Sequence, residues 1–131
     1  MKFSRDEIWI YCDENSSEGK KTVGYAKGFS NNVNVFDYSK KKFTPRIWND
    51  LLRMLGCKAK DLLDKSNPLY QEKVKGRDFE DYDWINIIIN NPELMRAPIA
   101  IKSDKAIICN TPTDVLKLDN KSNQVEQNKD F

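Results

Sequence analysis

The sequence predicts an α/β domain, a four-stranded mixed sheet with flanking helices. Three observations predict it. Two β-prone runs, at residues 8–12 and 33–38, enclose a segment with helical spacing of its apolar residues, the pattern of a right-handed βαβ unit with parallel strands. Two further apolar runs, at 98–101 and 106–109, are separated by only a few polar residues, as in an antiparallel hairpin. Between these blocks, proline behind a capping threonine opens a helix with a continuous apolar stripe. The chain has 131 residues, enough for one domain with a core and too few to argue for two. We expect a single domain over 1–118 and a flexible polar tail over 119–131.

Ile8-Trp9-Ile10-Tyr11-Cys12 is a short β-prone run, and Asp13 to Ser17 after it carries turn and cap residues. From Ser17 to about Phe29, Thr22, Val23, Ala26 and Phe29 recur near helical spacing. Ser16 or Ser17 is suited to cap this helix, and Glu18 to its positive end. Val33 to Tyr38 is the second strand. Thr44-Pro45 then starts a helix in which Ile47, Trp48, Leu51, Leu52 and Leu55 form one stripe, ending at Gly56.

Lys58 to Lys65 predicts a short helix with Leu62 and Leu63 inward. Ser66 to Asp78 is polar, interrupted by Pro68 and Gly76, and reads as a surface loop. Asp81 to Asn90 is apolar nearly all round, which predicts a helix wedged against the sheet with little solvent contact. Pro98 to Ile101 and Ala106 to Cys109 form the hairpin around Ser103-Asp104. Thr111-Pro112-Thr113-Asp114 repeats the cap-plus-proline start of a helix, continued by Val115 and Leu116. The segment after Leu118 is rich in Asn, Gln and Lys and has too little apolar surface to offset its ordering entropy.

Composition removes several classes of function. The 22 Lys and Arg against 20 Asp and Glu leave a net charge of +2, which dictates neither a nucleic-acid nor an anionic-membrane partner. Trp9, Trp48 and Trp84 fall in predicted core elements, not on an aromatic face interleaved with basic residues, so direct nucleic-acid binding is not expected. No apolar run approaches the length of a membrane span, and no leader pattern opens the chain. Histidine is absent, which removes imidazole bases, Ser-His and Cys-His pairs and histidine metal sites. Asp78, Glu80, Asp81 and Asp83 are acidic neighbours without a Ca²⁺-loop spacing, and read as a helix start, so no metal is expected. Cys12, Cys57 and Cys109 are odd in number and widely spaced, which suits free thiols and a cytoplasmic setting.

Four blocks carry a resemblance over residues 8–118: Ile10-Tyr11 before the first loop, Lys60-Asp61-Leu62-Leu63 after a glycine-ended helix, Asn91 to Ala100 (NPELMRAPIA) leading into the hairpin, and Thr111 to Leu116. In order and spacing they resemble the glutaredoxin-linked arsenate reductase (ArsC) family, which also contains the Spx-type transcription regulators; the resemblance implies a thioredoxin-like three-layer sandwich. The resemblance implies that Pro98 is a cis proline facing the first loop. It also implies a nucleophilic cysteine at the start of the first helix, where backbone N–H groups and the dipole lower its pKa and cradle an oxyanion. Ser16 stands in that place here.

The departures extend further. Where the family has arginines around the oxyanion, this chain has Asp64, Ala97 (with Arg96 one residue upstream) and, roughly, Thr111. Serine cannot pass through the thiol-arsenate and mixed-disulfide intermediates of the family reaction, and Asp13, Glu14 and Glu18 disfavour a bound oxyanion. The first expectation is therefore a degenerate, reductase-like domain, a pseudoenzyme acting as a binding or regulatory module with a protein partner and no cofactor. Spx-type relatives act through RNA polymerase, and analogy alone implies a protein partner of that general kind, which no surface motif in this sequence names. The alternative is a thiol oxidoreductase in which Cys12 replaces the usual cysteine and is resolved by glutathione or glutaredoxin. A third reading is anion binding without turnover, through backbone N–H groups at Ser16, Ser17 and Glu18 with Arg96, although capping also explains the two serines.

Overall fold

In the computed structural model, which describes residues 7–119, strand alternation divides the apolar residues between two cores. In β1 (Ile8–Cys12), Ile8, Ile10 and Cys12 pack on one side of the sheet, while Tyr11 and Trp9 pack on the other. In β3 (Ile99–Lys102), Ala100 joins the first core and Ile99 and Ile101 the second. Period-two alternation with apolar residues on both faces requires cover on both. The first face is covered by α1 (Ser17–Lys27) and a 3₁₀ segment, Pro112–Leu118, through Ala26, Val115 and Leu118. The second is covered by α2 (Pro45–Leu55), a 3₁₀ turn Ala59–Leu62 and α4 (Asp81–Asn90), through Trp48, Leu51, Leu62, Ile85 and Ile88. This is the expected three-layer sandwich.

The sheet order is β2-β1-β3-β4, with β2 at Val33–Asp37 and β4 at Lys105–Ile108. β1 runs parallel to β2 and antiparallel to β3, and β3 pairs antiparallel with β4. The sheet is thus mixed, as the sequence predicts. Ser103 takes a left-handed φ of 57° in the two-residue turn between β3 and β4, the backbone sign that tight hairpins demand. Helix α2 begins where Thr44 accepts from the Ile47 amide and ends at Gly56, whose φ of 69° suits a residue without Cβ.

Five expectations change. Residues 66–78 contain a helix, α3 (Pro68–Lys73), capped by the Asn67 side chain on the Leu69 amide at 2.9 Å. Here a cap and a proline at the first helical position suffice without an amphipathic stripe. The predicted helix over 58–65 tightens to the single 3₁₀ turn already named, and the segment after Thr111 is 3₁₀ as well, not α-helical. Helix α4 is not wedged out of solvent: Ile85 and Ile88 are buried but Tyr82 is 67% exposed, because a helix lying on an outer layer has only one face to bury. Finally, Pro98 is not cis, since every peptide bond among the described residues is trans. The trans form is the lower-energy one by about 0.5–1 kcal/mol, and Pro98 still delivers its carbonyl to the Cys109 amide at 2.8 Å. Of the expected tail, only Asp119 lies within the described residues. No described helix is long and apolar enough to cross a membrane.

Candidate functional site

Because β1 and β2 are parallel, their carboxyl ends lie side by side, and Cys12 at the end of β1 is in register with Asp37. Ligands in open α/β sheets bind at such ends. The loop 13–16, Tyr38 after β2, and the segment 95–98 before β3 close round this edge. They enclose a cavity of about 140 Å³ lined by Cys12, Asp13, Ser16, Glu18, Tyr38, Met95, Arg96, Ala97 and Pro98.

The loop turns back on itself. The Ser16 amide donates to the Asp13 carbonyl at 3.0 Å, and the Ser16 hydroxyl donates to the same oxygen at 2.7 Å. That hydroxyl also accepts from the Gly19 amide at 3.0 Å, so Ser16 is the N-cap of α1. Two of the N–H groups that would face a bound anion are thereby satisfied by the loop itself. Gly19 makes the turn possible: a Cβ there would overlap the Asp13 carbonyl oxygen and the Ser16 hydroxyl.

The electrostatics of this end are acidic. Cys12 is 1% exposed, and its thiol is pushed up to about 12, first by burial and then by the nearby Asp37, Asp13 and Glu14. Burial, with Asp13 next, likewise pushes the Tyr38 phenol up to about 12. Asp37 is buried; burial raises its pKa, but the Ser39 hydroxyl and amide on Oδ1 and the charge of Lys40 outweigh that and hold the carboxyl below its ordinary value. Lys40 pairs with Glu14 at 2.5 Å and lies 3.9 Å from Asp37 Oδ2, so this cation is already committed to carboxylates.

The structure gathers Cys12, Ser16, Arg96, Ala97 and Pro98 at the cavity. Ser17, the exposed first residue of α1, does not line it. Asp64 lines a second recess, which shares only Arg96 with the first. Thr111 caps the 3₁₀ segment after β4, its amide donating to Asp114 Oδ2 at 3.0 Å, and is not a cavity residue. Cys109 is buried, its thiol pushed up to about 12 chiefly by burial; Cys57 is half-buried, and burial raises it too. No group of three or more metal-ligating side chains occurs among the described residues. Asp83, from the acidic run, accepts from the Glu80 amide at 3.2 Å, as a helix start does. Sequence reasoning missed Tyr38 and Met95. The signal for Tyr38 was its place just past the carboxyl end of the strand parallel to β1.

No protein-family model matches the chain. It is similar to the uncharacterised Escherichia coli (strain K12) protein YfgD, at 26% identity over 114 residues, covering 86% of this chain and 96% of that one. Among solved structures it is similar to the arsenate reductase from Vibrio cholerae, with a TM-score of 0.79 and 19% identity over 88% of this chain and 99% of that one. It is equally similar, at a TM-score of 0.79 and 23% identity over 86% and 100% of the two chains, to a candidate arsenate reductase from Yersinia pestis. With its four-stranded mixed sheet and flanking helices, this chain has the thioredoxin-like fold that these arsenate reductase structures share.

Proposed function

We propose that this protein is an arsenate reductase-like domain without reductase chemistry, serving in the cytoplasm as a binding or regulatory module for a protein partner. The observation that carries the reading is Ser16. At the position where the resemblance puts the nucleophile stands a hydroxyl spent in both directions on the loop, donating to Asp13 and accepting from Gly19. A serine hydroxyl needs an adjacent base to attack, and the proton it holds goes to a backbone carbonyl. The acidic surroundings and the self-satisfied helix start also speak against an oxyanion in the cavity, although Arg96 remains there as one cation.

The second reading, a glutathione- or glutaredoxin-linked oxidoreductase using Cys12, has in its favour only that Cys12 lines the cavity. Its burial, and a pKa near 12, leave almost no thiolate near neutral pH, and the thiolate is the nucleophile.

Two assays test the proposal. The purified chain, supplied with arsenate, glutathione and glutaredoxin, is expected to show no reduction above the protein-free rate; reduction that disappears in Cys12→Ala would install the second reading. Pull-down with the chain as bait is expected to retain a protein partner that the Arg96→Ala and Tyr38→Ala variants lose. Retention by neither the chain nor its variants would remove the binding module.

A further inference from the structure

The second recess, which shares Arg96 with the first cavity, has a volume of about 490 Å³, within the range of small-molecule sites. Its polar lining is Lys60, Asp61, Asp64, Lys65, Ser66 and Arg96. These residues do not sit on loose loops. Leu63 and Met95 form an antiparallel bridge, closed by the Asp64 amide on the Leu94 carbonyl at 2.7 Å and the Arg96 amide on the Leu62 carbonyl at 2.9 Å. Segments 62–64 and 94–96 are therefore one short paired ribbon, which holds Asp64 and Arg96 at fixed positions on neighbouring strands.

The charges in the recess are unevenly committed. Asp61 uses Oδ2 to accept from the Lys58 amide at 3.0 Å, and Asp64 uses Oδ1 to accept from the Ser66 amide at 3.0 Å and hydroxyl at 2.6 Å. Each carboxylate thus spends one oxygen on its own turn and keeps the other. None of the ion pairs among the described residues involves Lys60, Lys65 or Arg96. Three cations that pair with no carboxylate among the described residues therefore line a recess that also offers two carboxylate oxygens as acceptors.

We propose that this recess binds a small hydroxylated phosphate monoester. The phosphate group would lie on Lys60, Lys65 and Arg96, the arginine contributing its bidentate fork. The hydroxyl groups would donate to the remaining oxygens of Asp61 and Asp64. A bare dianion meets the two carboxylates as repulsion, whereas a ligand with hydroxyl donors uses cations and carboxylates together. The recess shares Arg96, and no other lining residue, with the first cavity, and the two lysines that the test removes belong to the recess alone.

The test is amide chemical-shift mapping of the full chain with glucose 6-phosphate, alongside glucose and inorganic phosphate as separate probes. Saturable shifts at residues 60–66 and 96 are expected for the ester. Binding should weaken at least fivefold, on the order of 1 kcal/mol, in Lys60→Ala and in Lys65→Ala, whose spectra otherwise keep the wild-type dispersion. Inorganic phosphate should bind more weakly than the ester, and glucose not at all. Absence of saturable shifts, shifts centred on residues 16–19, indifference to both lysine variants, or equal affinity for inorganic phosphate would each overturn it.

Discussion

Gly19 faces the sulfur of Cys12 so closely that a Cβ added to it would stand 3.1 Å from that atom. The same Cβ would overlap the Asp13 carbonyl, a backbone atom held by the two bonds from Ser16. Gly19→Ala should therefore destabilise the domain, by about 1–3 kcal/mol as overpacked sites do. Gly24, in the same helix, has no atom within 4 Å of its would-be Cβ. Gly24→Ala should stabilise by about 0.5–1 kcal/mol. Urea unfolding of the two variants beside the parent gives the comparison, and equal effects would refute the packing argument.

The thiols should respond to alkylation in order of burial. Cys57 is half-buried, whereas Cys12 and Cys109 are 1% exposed. With iodoacetamide between about pH 5 and 9, Cys57 should be modified first and the other two only as fast as the domain opens. Mass spectrometry of the digested protein reports this directly. The pH sign follows from the same burial. The Cys12 thiol has an ordinary value of 9.0 and is raised to about 12 in the fold, so its contribution to stability is whole below pH 9 and is lost as pH rises toward 12. Cys12→Ala should flatten that alkaline loss.

Asp37 gives the opposite dependence. Its carboxyl is held below the ordinary 3.8, so the stability it contributes is present at neutral pH and is lost as pH falls through the acid range. Its Oδ2 is buried without a hydrogen-bond partner, a place where the amide of an asparagine would leave a donor unmet. Asp37→Asn should lower the melting temperature at pH 7 and make its fall between about pH 5 and 2 shallower. A parallel displacement of the whole profile would count against this assignment.

In the aromatic core beneath the sheet, Phe43 meets the rings of Tyr11, Phe36 and Trp48. Its ring lies 4.6 Å from that of Tyr11 and 4.1 Å from that of Phe36. Trp48 packs T-shaped on Tyr11 with ring centroids 5.3 Å apart, its buried indole N–H without a hydrogen-bond partner among the described residues. Phe43→Ala should cost about 3–5 kcal/mol, read as a loss of denaturant midpoint, with near-ultraviolet dichroism reporting the disturbed rings.

Much of this architecture is written in local signals. The alternation in Ile8–Cys12, the stripe of Ile47 to Leu55 and the Ser103-Asp104 turn each depend on neighbours a few residues away. Helix α3 shows where that stops. Asn67-Pro68 carries the same start signal as Thr44-Pro45, but only Leu69, Tyr70 and Val74 reach the core, too few to make a period visible. Pro112–Leu118, which packs against α1, is 3₁₀ although its cap-plus-proline start is the same signal that opens the α-helix at Thr44-Pro45. At the site, Cys12 and Ser16 were legible because they bracket one short stretch of chain, from the end of β1 to the cap of α1. Tyr38 could be read from its place just past β2 once that strand is taken as parallel to β1, whereas Met95 and the separation of Asp64 and Thr111 from the cavity depend on contacts between residues tens of positions apart, which no local pattern encodes.

The register of the sheet carries a last consequence. Tyr11 pairs with Ile99, so Cys12, one residue on, lies opposite Pro98, while Pro98 is bonded through its carbonyl to Cys109. The two buried cysteines are thus separated by a whole intervening strand. That is roughly 9–10 Å between their backbones at the usual strand spacing, beyond the roughly 7 Å limit for a disulfide. A covalent link between them can form only after β3 has left its place. Any such cross-link recovered from oxidised protein is therefore a permanent record that the sheet had come apart, and its rate of accumulation is a clock for that opening.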